Sequence, residues 1–448
     1  MAVIGIRRED KGIWERRAPL VPEDVLHLVK DHGLTIHVQS SERRCFPDQA
    51  YRAAGANLTP DMAGADVILG VKEIPLAAIE PGKAYMLFSH TIKGQPNNMP
   101  MLKQLLELGC TLLDYELVED EKGVRTIAFG RFAGLAGAID TLWALGKRLA
   151  AEGFPTPFAR VRHMVEYGDV ASAQTETLAL ARDLAEEGLP EGLVPLVIAV
   201  TGKGGKVFGG AMEIFELLPH RNVDPHALAS EVASYEGDGR EILLARYGPE
   251  HLVEPLEADA AYSWEHYLAN PARYRSRFGV DLPFLTAILH GIFWREGYPR
   301  FILREDLARL WRERDSPRLR VITDVTCDLG GSNESLVRVT DPGQPAYVFD
   351  PLSGQTREGV EGFGPVVLAV DILPAETPVD ASRHFSKVLS PIVPALASAR
   401  LEPESAVLPL PLRKSFVAVR GRLIPRWETE LREALLRHGS PVTKTSTS

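Results

Sequence analysis

Cysteine is scarce in this chain: three residues in 448, Cys45, Cys110 and Cys327, far apart and forming no C-x-x-C pair. That excludes a disulfide framework and a thiolate zinc ribbon, and leaves each thiol to be read as a small buried hydrophobe. No metal site is expected. Positive charge is in deficit, with 50 Lys and Arg against 60 Asp and Glu, a net charge of −10. Neither nucleic acid nor an anionic membrane is an expected partner, because both need a basic face. Long hydrophobic runs are missing too, and none approaches the roughly 18 residues of a spanning helix. The start, MAVIGIRRED, passes from a short apolar run straight into charge. No signal peptide is expected, and the cytoplasm is the expected compartment. There is no internal repeat.

What is present is enough apolar material, 45% of the chain, for two cores. The chain is organised around Pro195–Pro219. Leu196 to Val200 reads as a parallel strand buried on both faces. Five glycines in nine positions follow, Gly202, Gly204, Gly205, Gly209 and Gly210. Gly202 and Gly204 fit the start of G-x-G-x-x-G, but the third glycine of that pattern falls on Val207. Such a turn, with Lys206 inside it, lets backbone approach a diphosphate at the N-terminus of a helix expected from Ala211 to Leu218. A second strand ending in an acid is then expected, and Val223-Asp224 fits it. Asp224 would bond a ribose hydroxyl of NAD, whereas Arg221 close by would meet the 2′-phosphate of NADP; both stay open.

The N-terminal part repeats one plan. Apolar strands Ala65–Val71, Tyr85–Ser89 and Leu112–Glu116 place Lys72, His90 and Glu116 at or just past their carboxyl ends, where open α/β sheets bind ligands. Strands are also expected at Ala2–Ile6 and Thr35–Gln39, with a helix opening at Pro22 and ending by Gly33. Arg43 and Arg44 are candidates for a substrate carboxylate. Phe132–Ala151 reads as a long helix carrying the chain into a second domain, and Ser172–Glu187 as another. Residues 260–314 concentrate aromatics and read as a subdomain with its own packing. Strands are expected at Leu319–Asp324, Ala346–Asp350 and Val366–Asp371, then a helix through Phe385 and Leu389 that returns to the first domain. An amphipathic helix at Glu428–His438 and a disordered tail, SPVTKTSTS, close the chain.

The series IWERRAPLVP, VILGVKEIP, MLFSHTIKGQ, LLDYELVEDEKGVR and IAFGRFAGLAGAID resembles the alanine dehydrogenase superfamily. Within it, the likeness is to lysine-forming saccharopine dehydrogenases and the lysine-ketoglutarate reductase half of bifunctional aminoadipic semialdehyde synthases. It runs from Val3 to about Leu396, with FSHTIK, DVTCDLGGS and HGIFW as its more specific pieces. The resemblance implies two Rossmann-like domains with the active site in the cleft between them. It gives a catalytic domain of residues 1–133 with about 372–448, and a dinucleotide domain of 134–371 carrying an inserted subdomain at about 255–315. The glycines match the family variant G-x-x-G-x-x-x-x-G-A through Gly202, Gly205, Gly210 and Ala211. Lys72 and His90 match the acid-base pair, Arg17 the arginine holding a substrate carboxylate, and Glu116 the acid beside the lysine. Glu73 and Lys93 match neighbours that tune its charge, and Asp324 matches an acid near the nicotinamide.

The implied reaction is reductive condensation of L-lysine with 2-oxoglutarate to saccharopine, or its reverse, with NAD or NADP. The bifunctional enzymes continue into a second domain, so a single step is expected here. A homo-oligomer stays open. An alanine dehydrogenase or opine-type enzyme, a non-catalytic nucleotide-sensing module and a transhydrogenase subunit are the rivals. The first is separated by assaying lysine with 2-oxoglutarate against ammonia with pyruvate. The second is disfavoured by the presence of Lys72 and His90, and the third by the lack of membrane segments.

Overall fold

The computed structural model describes residues 1–257, 260–314 and 316–439; the tail expected to be disordered lies outside them. The chain divides into two compact units. One is discontinuous, Met1–Ala128 joined by the segment from Pro378, and the other is internal, Phe129–Thr377. Among the described residues no helix is long and apolar enough to cross a membrane.

The discontinuous unit opens with strands β1 (Ile4–Ile6), β2 (Ile36–Gln39), β3 (Asn57–Thr59), β4 (Val67–Leu69), β5 (Ala84–Leu87) and β6 (Thr111–Asp114). The internal unit supplies β7 (Val197–Thr201), β8 (His220–Val223), β9 (Ile242–Tyr247), β10 (Val253–Pro255), β11 (Tyr274–Ser276), β12 (Ala287–His290), β13 (Val321–Asp324), β14 (Ala346–Phe349), β15 (Thr356–Glu358) and β16 (Val366–Leu368). The returning segment adds β17 (Phe416–Val419) and β18 (Arg422–Leu423).

The first sheet runs β18-β17-β6-β5-β4-β1-β2-β3. From β3 to β6 every pairing is parallel, and β17 closes the edge antiparallel to β6. The parallel part has the order 3-2-1-4-5-6 of a doubly wound nucleotide fold. Its central strands are short and apolar, and Val67, Ile68 and Leu69 of β4 are all buried, as in a parallel sheet covered on both faces. The helix Pro378–Leu389 belongs to this unit. Its Ser382 and Ser386 hydroxyls accept the Ala18 and Val21 amides at 2.9 Å each, which pins the loop carrying Arg17.

The second sheet runs β15-β14-β16-β13-β12-β7-β9-β8, with an antiparallel pair again at one edge. Here the order departs from expectation. β9 lies between β7 and β8, so the strand ending at Asp224 is an edge strand and not the neighbour of β7. The aromatic stretch is not a separate inserted subdomain either. It contains β12, which sits between β7 and β13 in the middle of the sheet, while Tyr267, Tyr274, Phe278 and Trp311 join the same core as Val197 and Leu243. Aromatic density masked a four-residue buried strand, since AILH is too short to show a period.

The long helix runs Gly130–Ala151 and the helix after the glycines Lys206–Phe215, which begins five residues before the expected Ala211. The two cross closely. A Cβ on Gly134 would strike the Val207 carbonyl oxygen, and one on Gly210 the Arg131 carbonyl oxygen. These glycines exist for backbone-to-backbone approach.

Candidate active site

Three groups gather at the carboxyl edge of the first sheet because β4, β5 and β6 are parallel neighbours. Lys72 follows β4, His90 follows β5 and Glu116 follows β6. Two buried acids fix the loops that carry them. Glu9 accepts the Val71 amide at 2.7 Å and the Lys72 amide at 3.0 Å, and pairs with Arg7 at 3.4 Å. Asp114 accepts the Ser89 amide at 3.1 Å and the Glu116 amide at 2.8 Å, and also the Ser89 hydroxyl. Burial raises both carboxyls against these partners. His90 takes a left-handed backbone, φ 51°, uncommon for a side chain with a Cβ and a mark of a position fixed by its surroundings. Its ring stacks on Phe88 with 17° between the planes.

The imidazole lies between two acids. Nδ1 is 3.7 Å from Glu116 Oε1 and Nε2 is 3.9 Å from Glu73 Oε1, close charge contacts longer than hydrogen bonds. Glu116 also meets Arg125 at 3.4 Å. The His90 ring beside it, more than Arg125 and the exposed Lys93, overcomes burial and holds the Glu116 carboxyl down at about 2. Glu73 is bound by Lys11 at 3.2 Å.

Lys72 is the inverse case. Burial first, then the charges of Arg17 and Lys11, push its ammonium below the usual value of 10.5, against Glu73 and Glu15. A lysine so placed gives up its proton more readily than one in water. Arg17 is 3% exposed and forks onto Glu15, at 2.8 Å from Nε and 2.5 Å from Nη2. Burial opposes, but the Arg17 charge outweighs it, and Glu15 stays below the ordinary carboxylate range.

The arginine pair separates. Arg43 is exposed. Arg44 is buried, bonded to Asp48 at 3.1 Å and to the Gln39 carbonyl at 2.6 Å, with its guanidinium over Tyr51. That guanidinium ties β2 to its following loop. Glu9, Lys11, Glu15, Asp114 and Arg125 were not singled out in the sequence. For Glu9 and Asp114 the signal available was their position, in RRED and LLDYE, at or just past the strand ends of β1 and β6.

In the internal unit the glycine turn follows β7 at the point where the chain's connections leave to opposite sides of the sheet, the expected crevice of such folds. Gly202 and Gly204 have φ of 83° and 88°. A Cβ on Gly202 would lie 2.8 Å from the Gly291 carbonyl oxygen, while none would touch anything at Gly204 or Gly209. Gly205 caps the Lys206–Phe215 helix, whose first-turn amides and exposed Lys206 suit a diphosphate. These residues fit a dinucleotide. Gly210 and Ala211 are buried in the helix face against the long helix.

Asp224 is exposed just past the edge strand β8, and its carboxylate caps the next turn through the His226 amide at 2.9 Å. The place beside β7 belongs to the end of β9, where the Tyr247 carbonyl accepts the Lys203 amide at 3.1 Å. Arg221 lies over Tyr235 and within 3.6 Å of both Glu231 and Glu241.

Asp324 ends β13 at the same edge and is 1% exposed. It accepts Thr326 N at 2.9 Å, Thr326 Oγ1 at 2.6 Å and Asn333 Nδ2 at 3.0 Å. Next to it His290, absent from the sequence-based set although it opens HGIFW, bridges Thr201 Oγ1 at 3.1 Å and Ser332 Oγ at 2.7 Å. Burial lowers its imidazole, against the charge of Asp324.

Two α/β units with mostly parallel sheets give this chain the fold of the alanine dehydrogenases. A solved L-alanine dehydrogenase matches with a TM-score of 0.59 at 19% identity, over 96% of this chain and 99% of its own. The family model "Alanine dehydrogenase/PNT, N-terminal domain" matches residues 5–136. The saccharopine dehydrogenase [NAD(+), L-lysine-forming] of Neurospora crassa is 30% identical over 406 residues, 87% of this chain and 90% of that protein. The chain belongs to the lysine-forming saccharopine dehydrogenase family. It is also 35% identical over 441 residues to the alpha-aminoadipic semialdehyde synthase of Arabidopsis thaliana, covering 95% of this chain but only 41% of that protein.

Proposed function

We propose that this chain is a nicotinamide-dependent oxidoreductase of the saccharopine pathway, joining L-lysine to 2-oxoglutarate with NADH or NADPH, or running the reverse with NAD or NADP. The discontinuous unit is then the catalytic domain and the internal unit the dinucleotide domain. The observation that carries this reading is Lys72: a half-buried lysine with a lowered ammonium pKa, on the same sheet edge as His90 and Glu116, in a member of this family.

When bound at the glycine turn, the dinucleotide supplies or takes the hydride at the carbon bearing nitrogen. The chain's own groups handle protons and charge. Lys72 in its neutral form takes the proton from the secondary amine in the oxidative direction, since only an amine free of its proton can give up hydride to form an imine. His90 takes the proton from the water that adds to the imine carbon, and returns it as the carbinolamine collapses to lysine and 2-oxoglutarate. Glu116, Glu73 and Lys93 set the charge around that imidazole. Arg17, with Arg43, supplies the cationic field that the three substrate carboxylates require. Asp324 orders the strand edge near the nicotinamide through its three accepted hydrogen bonds.

The test is the initial rate of NADH and, separately, NADPH oxidation with lysine plus 2-oxoglutarate, against ammonia plus pyruvate. Turnover with the lysine pair is expected. Turnover confined to ammonia and pyruvate would move the chain to an alanine dehydrogenase activity, and nucleotide binding with no turnover would make it a sensing module. The free thiols of Cys45, Cys110 and Cys327 suit a reducing compartment, and the cytoplasm is part of the proposal; fractionation of the native protein checks it.

A further inference from the structure

The internal unit holds a second cluster of ionisable groups that the proposed reaction does not use. Asp140 projects from the long helix, His163 precedes the short turn Met164–Glu166, and Glu376 ends the turn Leu373–Glu376. All three are buried, at 0%, 3% and 1% exposure. Their polar atoms converge: one atom from each lies within 4.8 Å of the others.

Five of these atoms have no hydrogen-bond partner: Asp140 Oδ2, both ring nitrogens of His163 and both carboxylate oxygens of Glu376. Buried polar groups left this way are rare, and buried charges without a counter-charge rarer still. The one satisfied atom, Asp140 Oδ1, accepts the Met164 amide at 2.8 Å. That bond orients the carboxylate so that its other oxygen faces His163.

The spacing separates the possible occupants. His163 Nε2 lies 3.4 Å from Asp140 Oδ2 and 3.6 Å from Glu376 Oε1. Both are too long for a hydrogen bond to nitrogen. They match the separation of neighbouring ligand atoms around a tetrahedral ion, about 3.3–3.4 Å for bonds of about 2.0–2.1 Å. Charge leads the same way. One imidazolium cannot neutralise two carboxylates, whereas a divalent cation with a neutral imidazole balances both.

We propose that Asp140, His163 and Glu376 form a structural site for one divalent transition-metal ion, of which zinc best suits two carboxylates and an imidazole at tetrahedral spacing. The ion would staple the long helix to two segments remote from it in sequence, one of them the chain's exit from the internal unit. Trp143, edge-on to the His163 ring at 5.2 Å, covers one side.

The experiment uses the full chain, expressed with added zinc sulfate and desalted. Metal content is read by mass spectrometry before and after dialysis against EDTA, and thermal unfolding is followed after refolding with EDTA or with zinc. One zinc per chain is expected, surviving dialysis, with a midpoint lower in chelator and restored by zinc. Cobalt(II) should give the visible absorption of a tetrahedral centre. His163→Ala should lose the metal; should that variant not fold, the volume-conserving set Asp140→Asn, His163→Met and Glu376→Leu gives a metal-free core for comparison. A wild-type chain that takes up no zinc during expression or refolding overturns the proposal, leaving a proton shared between Asp140 and Glu376. Zinc retained at equal stoichiometry in the triple variant overturns it as well.

Discussion

Glu116 Oε1 stands 3.7 Å from His90 Nδ1, and the contact holds the acid ionised down to about pH 2. A carboxyl whose folded pKa is depressed adds stability above its unfolded value, here 4.5, and loses it as pH falls through the folded one. Glu116→Gln should therefore unfold more easily than wild type at neutral pH. The gap should narrow from pH 4.5 toward about 2. Melting temperatures of both proteins across that range decide it; a constant gap would rule out the linkage.

Lys72→Met should lower kcat by about 10²-fold or more, the scale of a lost general acid-base group. Lys72→Arg should not restore it, because a guanidinium keeps its proton at any working pH. In the oxidative direction wild-type kcat/KM should climb with pH and level off below 10.5, the unperturbed lysine value. The sign follows from the depression: the neutral base fills earlier than in a free lysine. The same depression makes the charged form unfavourable in the folded chain, a penalty relieved as pH rises. Saturating-substrate rates and a pH profile are the measurements.

Asp114→Asn should cost about 1–3 kcal/mol, since one of the donors it now satisfies would meet an amide NH2 instead. The loops bearing His90 and Glu116 should loosen together. Kcat should fall while the Kd for dinucleotide, proposed to bind the other unit, stays at its wild-type value. Urea unfolding and fluorescence titration with NADH separate those two effects.

Gly134→Ala and Gly210→Ala should each destabilise by about 1–3 kcal/mol, as expected of overpacking at a tight contact. Gly209→Ala, one residue away but facing open space, should be neutral or stabilising by about 0.5–1 kcal/mol through helix propensity. Denaturant midpoints of the three proteins test the crossing of the two helices.

Gly202→Ala should raise the dinucleotide KM by about tenfold or more, because φ near +83° and the Gly291 carbonyl leave no place for a methyl group. Asp224→Asn should change it far less, its carboxylate being the cap of a turn on an edge strand. A larger effect at Asp224 than at Gly202 would return that acid to the ribose.

The chemistry-bearing residues at the first sheet's edge were legible because a parallel strand announces itself twice, as a buried apolar run and by the polar residue that ends it. VILGVK, YMLFSH and TLLDYE each do so, and 3-2-1-4-5-6 winding aligns those ends. The second sheet was less legible. Nothing in HRNV or ILLARY states that the later strand slips between β7 and the earlier one, since pairing partners are a long-range choice. Gly210 and Gly202 look alike in sequence, but one meets a helix and the other a turn.

By itself, then, the sequence determined most strands of the first sheet and the long helix, that two α/β units are built, and that Lys72, His90 and Glu116 share an edge, because burial patterns and strand ends are local. Only the tertiary structure decided that Arg44 pairs with Asp48 and the Gln39 carbonyl, that Asp224 caps the turn after an edge strand, that Glu9 and Asp114 hold the loops after β4, β5 and β6, and that Asp140, His163 and Glu376 meet. Those facts depend on which distant segments desolvate one another, and no window of the chain contains that information.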